Sequence, residues 1–234
     1  MHQADQVTVE LTMAIKDGDV PALERLLAAR PGLASERITG RKGGTSMPLH
    51  IVTDWPGYFP NGPAIVRILI EADADPNALT SPGKPETPLH YAASSDDADV
   101  AEALINGGAD LEVPGGSIGT PLDNAVGYGC WHVARLLVAR GARVDKLWHA
   151  AALGLLPRLE ELAVAGPAAD ELNEAFWQAC HGGQRRAAEL LLNRGADPGK
   201  VPGYASGQTP VQVAGAPDTR RENLVGWLRE RIGA

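Results

Sequence analysis

The chain has 234 residues, 44% hydrophobic and 21% charged, with a formal net charge of −8. It is too apolar to be disordered and long enough to bury a substantial core. Its acidic field would repel a phosphate backbone, so nucleic acid is not an expected partner.

Apolar residues at helical spacing place helices over residues 7–16 and 20–29, the second reading VPALERLLAA. Ser46-Met-Pro-Leu-His50 opens another helix pair, and Ile68-Leu-Ile-Glu-Ala-Asp-Ala-Asp75 closes it. Between them lies Asp54-Trp-Pro-Gly-Tyr-Phe-Pro-Asn-Gly62, which breaks the helical pattern with two prolines and two glycines. It carries Trp55, Tyr58 and Phe59 in a chain with only five Trp, four Tyr and two Phe. Next come Thr87-Pro-Leu-His-Tyr-Ala-Ala93 with Ala103-Leu-Ile-Asn-Gly-Gly-Ala-Asp110, then Thr120-Pro-Leu-Asp-Asn-Ala125 with Leu136-Leu-Val-Ala-Arg-Gly-Ala-Arg-Val-Asp145. A fifth pair covers residues 147–154 and 157–162, and a sixth residues 173–183 and 185–193. The last begins at Thr209-Pro-Val-Gln-Val-Ala214 and ends in a helix over residues 223–232.

The two block types recur: Asp75, Asp110 and Asp145 stand 35 apart, and Pro88 to Pro121 is 33. In Thr-Pro, the hydroxyl caps free N–H groups and proline suits the first helical position. The second block ends a helix on Leu-Leu, and glycine then takes the left-handed cap. Each unit is thus a helix, a turn, an antiparallel helix and an extended finger.

TPLHYAA with NGGAD resembles the ankyrin repeat over almost the whole chain. The run FWQACHGGQRRAAELLLNRGAD is similar to ankyrin repeat proteins of high-GC soil bacteria, a likeness that brings a fold and no activity. The expectation is an all-α ankyrin solenoid of about seven helix-turn-helix units, forming one domain over residues 1–234, with atypical end units. Two departures stand out. Leu122 to Leu147 is 25 and Leu147 to Phe176 is 29, so the fingers before the fifth and sixth units are shortened. Pro48 to Pro88 is 40, the surplus being the aromatic loop inserted in the second unit.

The resemblance implies which residues face the concave groove. They are Ile51, Asp54 and Trp55; Tyr91, Ser94 and Ser95; Asn124, Gly127 and Tyr128; His149, Ala152 and Leu153; and Gln178, His181 and Gly182. With Tyr58 and Phe59 of the loop, the aromatic and polar members of this row are the candidate partner-binding residues. His50 and His90 take the consensus histidine's place, bonding between repeats. Trp148 and Trp177 replace it and are expected to pack in the core. Asp54 can equally cap its own turn, and Asp96, Asp97 and Asp99 belong to a turn and a helix cap. Cys180 beside His181 suggests a thiol–imidazole pair, but adjacent helical residues point in different directions.

The leading expectation is a module presenting its groove to a protein or peptide partner. The alternative is a small-molecule-binding protein or enzyme, with Asp54, His149 and His181 as acid/base groups between the aromatic loop and the shortened units. No cofactor motif is present, and Cys130 and Cys180 lack metal-ligand spacing. Basic residues cluster only as the pairs Arg41–Lys42, Arg185–Arg186 and Arg220–Arg221. No apolar run nears the roughly 18 residues of a membrane span, and MHQADQVTVELTMA lacks a signal peptide's basic start. A cytoplasmic protein with no membrane partner is expected.

Overall fold

The computed structural model describes residues 3–39, 44–81, 83, 85–216 and 221–232. Arg41, Lys42 and Arg220 lie outside the described residues. Two compact units emerge, residues 1–142 and residues 143–234.

The first unit holds α1 (Gln3–Asp17), α2 (Val20–Ala29), α3 (Pro48–Val52), α4 (Gly62–Glu71), α5 (Pro88–Ser95), α6 (Ala98–Asn106), α7 (Pro121–Tyr128) and α8 (Trp131–Ala139). Consecutive helices pair, while α1, α3, α5 and α7 stack as one layer and α2, α4, α6 and α8 as another. Strands β1 (Ile38–Thr39) and β2 (Thr45–Ser46) form an antiparallel finger, bridged from Thr45 to Ser81 of the next finger.

Local chemistry sets these boundaries. The hydroxyl of Thr120 accepts the Asp123 N–H at 3.3 Å, and the Asp123 carboxylate returns to the Thr120 N–H at 2.7 Å. Second helices start on aspartate where Asp19 accepts from Ala22 (2.9 Å) and Asp97 from Val100 (3.2 Å). After α6, Gly108 sits at φ +93°, the left-handed cap that NGGAD predicts. Leu49, Leu89 and Leu122 of the first layer and Leu69, Leu104 and Leu137 of the second are buried. Ala92 and Ala93 let the layers approach closely.

The second unit holds α9 (Leu147–Leu153), α10 (Leu156–Val164), α11 (Ala169–His181), α12 (Arg185–Asn193), α13 (Pro210–Ala214) and α14 (Glu222–Ile232). Its layers are α9–α11–α13 and α10–α12, around Phe176, Leu159, Leu191 and Leu228. The connections before α9 and α11 are residues 140–146 and 165–168, short beside residues 107–120 and 194–209. Before α11 the finger is replaced by an extra helical turn, with Glu171 accepting the Ala168 N–H at 2.8 Å. No helix among the described residues is long and apolar enough to cross a membrane.

Candidate partner-binding cleft

The aromatic loop is built into its neighbours rather than hanging from them. The Asp54 carboxylate accepts the Trp55 N–H (3.0 Å) and its carbonyl accepts the Gly57 N–H (2.7 Å), so Asp54 does cap the loop's own turn. Backwards, the Asn61 amide donates to the Gly18 carbonyl at 2.9 Å, and Lys16 lies 5.7 Å from the Phe59 ring centroid. Gly18 is at φ +71°, and a Cβ there would sit 2.4 Å from the Pro60 carbonyl oxygen. Forwards, the Tyr58 N–H donates to Asp97 at 2.7 Å and its hydroxyl to the Asp96 carbonyl. Asp96 in turn accepts the His132 and Val133 N–H groups at the start of α8 (2.9 and 3.0 Å). Helix turns α1–α2, α3–α4, α5–α6 and α7–α8 are thereby stitched in series.

This stitching holds Trp55 at 78% exposure on the lip of a cleft of about 310 Å³. Tyr91 and Tyr128 line it with Trp55; Asp54 and Glu86 supply carboxylates, and Ser94, Ser95 and Ser117 hydroxyls. Asp54 meets Lys16 at 3.9 Å, both side chains being about half exposed. The Glu86 carboxylate accepts the Ser117 N–H (2.9 Å) and the Asn124 amide (3.1 Å). Tyr128 donates its hydroxyl to Ser117 at 3.0 Å. Burial, followed by the charges of Glu86 and Asp54, raises the Tyr91 phenol above its ordinary pKa.

Six cleft residues (Asp54, Trp55, Tyr91, Ser94, Ser95 and Tyr128) are ones the repeat register picks out. Glu86 and Ser117 were not among them. Both sit on fingers, where no periodicity marks a position; the only sequence signal is that Glu86 directly precedes a Thr-Pro cap. Tyr58 and Phe59 serve the loop's anchorage.

Five residues of the expected groove row are inside, namely Ile51, Ala152 and the candidate partner-binding residues Asn124, Gln178 and His149. Asn124 is 0% exposed because the finger folds over it: Asn124 accepts the Ile118 N–H at 3.1 Å and donates to Glu86 and Ser94. Gln178 is buried, donating to the Tyr204 hydroxyl of the last finger at 3.0 Å. His149 is buried against Trp148, ring centroids 4.2 Å apart. His181 is half-buried beside Gln178 and Trp177; burial and then Arg221 lower its pKa to about 4. Burial pushes the Cys180 thiol up to about 12. At neutral pH that pair is a neutral thiol and a neutral imidazole, which lacks the thiolate that nucleophilic catalysis needs. Of the acid/base groups considered for a catalytic pocket, only Asp54 lines the cleft.

The consensus histidines behave as expected. His50 Nδ1 accepts the Met47 N–H, so its Nε2–H donates to the Glu86 carbonyl at 3.0 Å. His90 accepts from Thr87 and donates to the Gly119 carbonyl at 3.0 Å. Burial lowers the pKa of both, which keeps them neutral.

Paired helices, capped Thr-Pro starts and histidines that bond the next finger define a helical repeat protein. The family model of ankyrin repeats, in three copies, matches residues 11–146, and the chain belongs to that family. It is 27% identical to the mouse (Mus musculus) B-cell lymphoma 3 protein homolog over 221 residues, 87% of this chain. The match covers 47% of that relative, so the chain spans about half its length. Among solved structures, the ankyrin repeat domain of Bcl-3, described as a unique member of the IkappaB protein family, is 26% identical with a TM-score of 0.55. The likeness covers 94% of this chain and 97% of that one. The human ASB11 ankyrin repeat domain is similar in fold at 21% identity and a TM-score of 0.53, covering 93% and 96%. Ankyrin repeat domains are protein–protein interaction modules, and the expected binding module is the class to which this chain belongs.

Proposed function

We propose that the cleft between the aromatic loop and Tyr128 is where the module grips its partner, an extended segment of another protein. The observation that carries this is Trp55, 78% exposed on a loop whose flanks are hydrogen-bonded to the helix turns on both sides. A large ring held in place costs little ordering on binding, and aromatic anchors dominate interface energies. Tyr128, 52% exposed across the cleft, is the second anchor.

Trp55→Ala tests this in a pull-down with the full chain as bait, monitored alongside thermal unfolding. Loss of the captured partner with an unchanged Tm supports the cleft. Retained capture rejects it.

We further read residues 1–234 as one folding domain, because the family match over residues 11–146 runs past the division at 142/143. One calorimetric unfolding transition is expected; two separate transitions would overturn that reading.

A further inference from the structure

We propose that the cleft selects a cationic side chain, an arginine or lysine on the partner's extended segment. This rests on the cleft being the partner-binding surface, and it names the chemistry recognised there.

The argument starts from Glu86. Among the described residues both hydrogen bonds to its carboxylate come from neutral donors, Ser117 N–H and the Asn124 amide, and both reach the same oxygen, Oε1. Among the described residues no lysine or arginine pairs with it. Asn124, itself wholly buried and tied to Ile118 and Ser94, fixes where that carboxylate stands. The second carboxylate, Asp54, accepts the Trp55 N–H with one oxygen, and among the described residues its cationic contact is the long one to Lys16 between two well-solvated groups; such pairs are worth little.

Around these charges stand Trp55, Tyr91 and Tyr128. Aromatic rings attract cations through their quadrupoles, the more so as water leaves. Hydroxyls of Ser94, Ser95 and Ser117 add acceptors for the N–H groups of a guanidinium or ammonium. An acidic segment would meet two carboxylates and a chain of net charge −8. A neutral apolar one would strip water from Glu86 and return nothing. A cation is drawn to a cleft lined by two carboxylates, and arginine's planar fork suits a carboxylate best.

The test selects a displayed random dodecapeptide library on the immobilised full chain. Synthetic binders are then measured by fluorescence anisotropy against wild type, Glu86→Gln, Asp54→Asn and Trp55→Ala, each checked by thermal unfolding. Expected are binders that depend on Trp55 and carry arginine or lysine. They should bind about tenfold more weakly when that arginine becomes citrulline, or when Glu86 becomes glutamine, and weaken as salt rises. Trp55-dependent binders that lack a basic residue, or that ignore Glu86→Gln and salt, overturn the cation while leaving the cleft standing. A selection that yields no Trp55-dependent binder overturns both.

Discussion

The indole N–H of Trp177 donates to the Gln208 carbonyl at 2.8 Å, and Gln208 directly precedes Thr209 of the next capped helix. His50 makes the same bond to Glu86, before Thr87, and His90 to Gly119, before Thr120. An indole therefore replaces an imidazole without losing the tie between one unit and the following finger. Trp177→Phe removes the donor together with the pyrrole half of a nearly buried indole. The lost hydrogen bond costs about 1 kcal/mol and the vacated volume adds to it, so a loss of about 2–3 kcal/mol is expected, read as a lowered urea midpoint at constant m-value.

The buried imidazoles link stability to acid. His181 has its pKa lowered from 6.5 to about 4 by burial and by Arg221, while Gln178 and the Trp177 ring flank it. Below pH 6.5 the unfolded chain takes up a proton that the folded chain refuses. Its stabilising contribution is therefore whole above 6.5 and declines as pH falls toward 4. His50 and His90, also lowered by burial, act in the same direction. Urea midpoints measured from pH 7 to pH 4 are expected to fall, and His181→Asn to fall less steeply than wild type over that interval.

Asp97 joins the loop to the repeat that follows. It is 2% exposed, caps α6 through Val100 and accepts the Tyr58 N–H with its other oxygen. Asp97→Ala leaves two N–H groups without an acceptor and is expected to cost about 2–3 kcal/mol. Asp97→Asn keeps one carbonyl oxygen for the cap and loses less. Trp55→Ala, by contrast, touches an exposed ring and should stay within about 0.5 kcal/mol of wild type by chemical denaturation.

How far the sequence could be read depended on periodicity. Thr87-Pro-Leu-His and Asn106-Gly-Gly-Ala-Asp110 name their helix starts and ends because capping chemistry is local. The short links before α9 and α11 followed from spacing alone. Asn124 and Gln178 misled: both hold helix positions that face outward in register, but whether they meet solvent is decided by fingers that return over them, carrying Ile118 and Tyr204. Glu86 and Ser117 were missed for the same reason, since finger residues obey neither a helical nor a strand period. The loop's aromatics were legible as a group, but not their division into Trp55 at the cleft and Tyr58 and Phe59 as anchorage. That division rests on turns far apart in sequence, at Gly18 and Asp97.

The two thiols offer a last test, independent of any partner. Cys180 is 0% exposed within the core around Phe176 and Leu191, and Cys130 is 7% exposed at the start of α8. Burial pushes them up to about 12 and about 11, and the neighbouring Asp96 charge pushes Cys130 further in that direction. Reaction with a disulfide reagent requires the thiolate and a path for the reagent. Native protein at pH 8 is therefore expected to release almost no thionitrobenzoate from Ellman's reagent on the timescale of minutes, and two equivalents once unfolded in guanidinium. Fast native labelling of Cys180 would mean that α11 opens readily. The packing of α9 and α13 against it argues otherwise, because the thiol is reached only by separating helices that share one core.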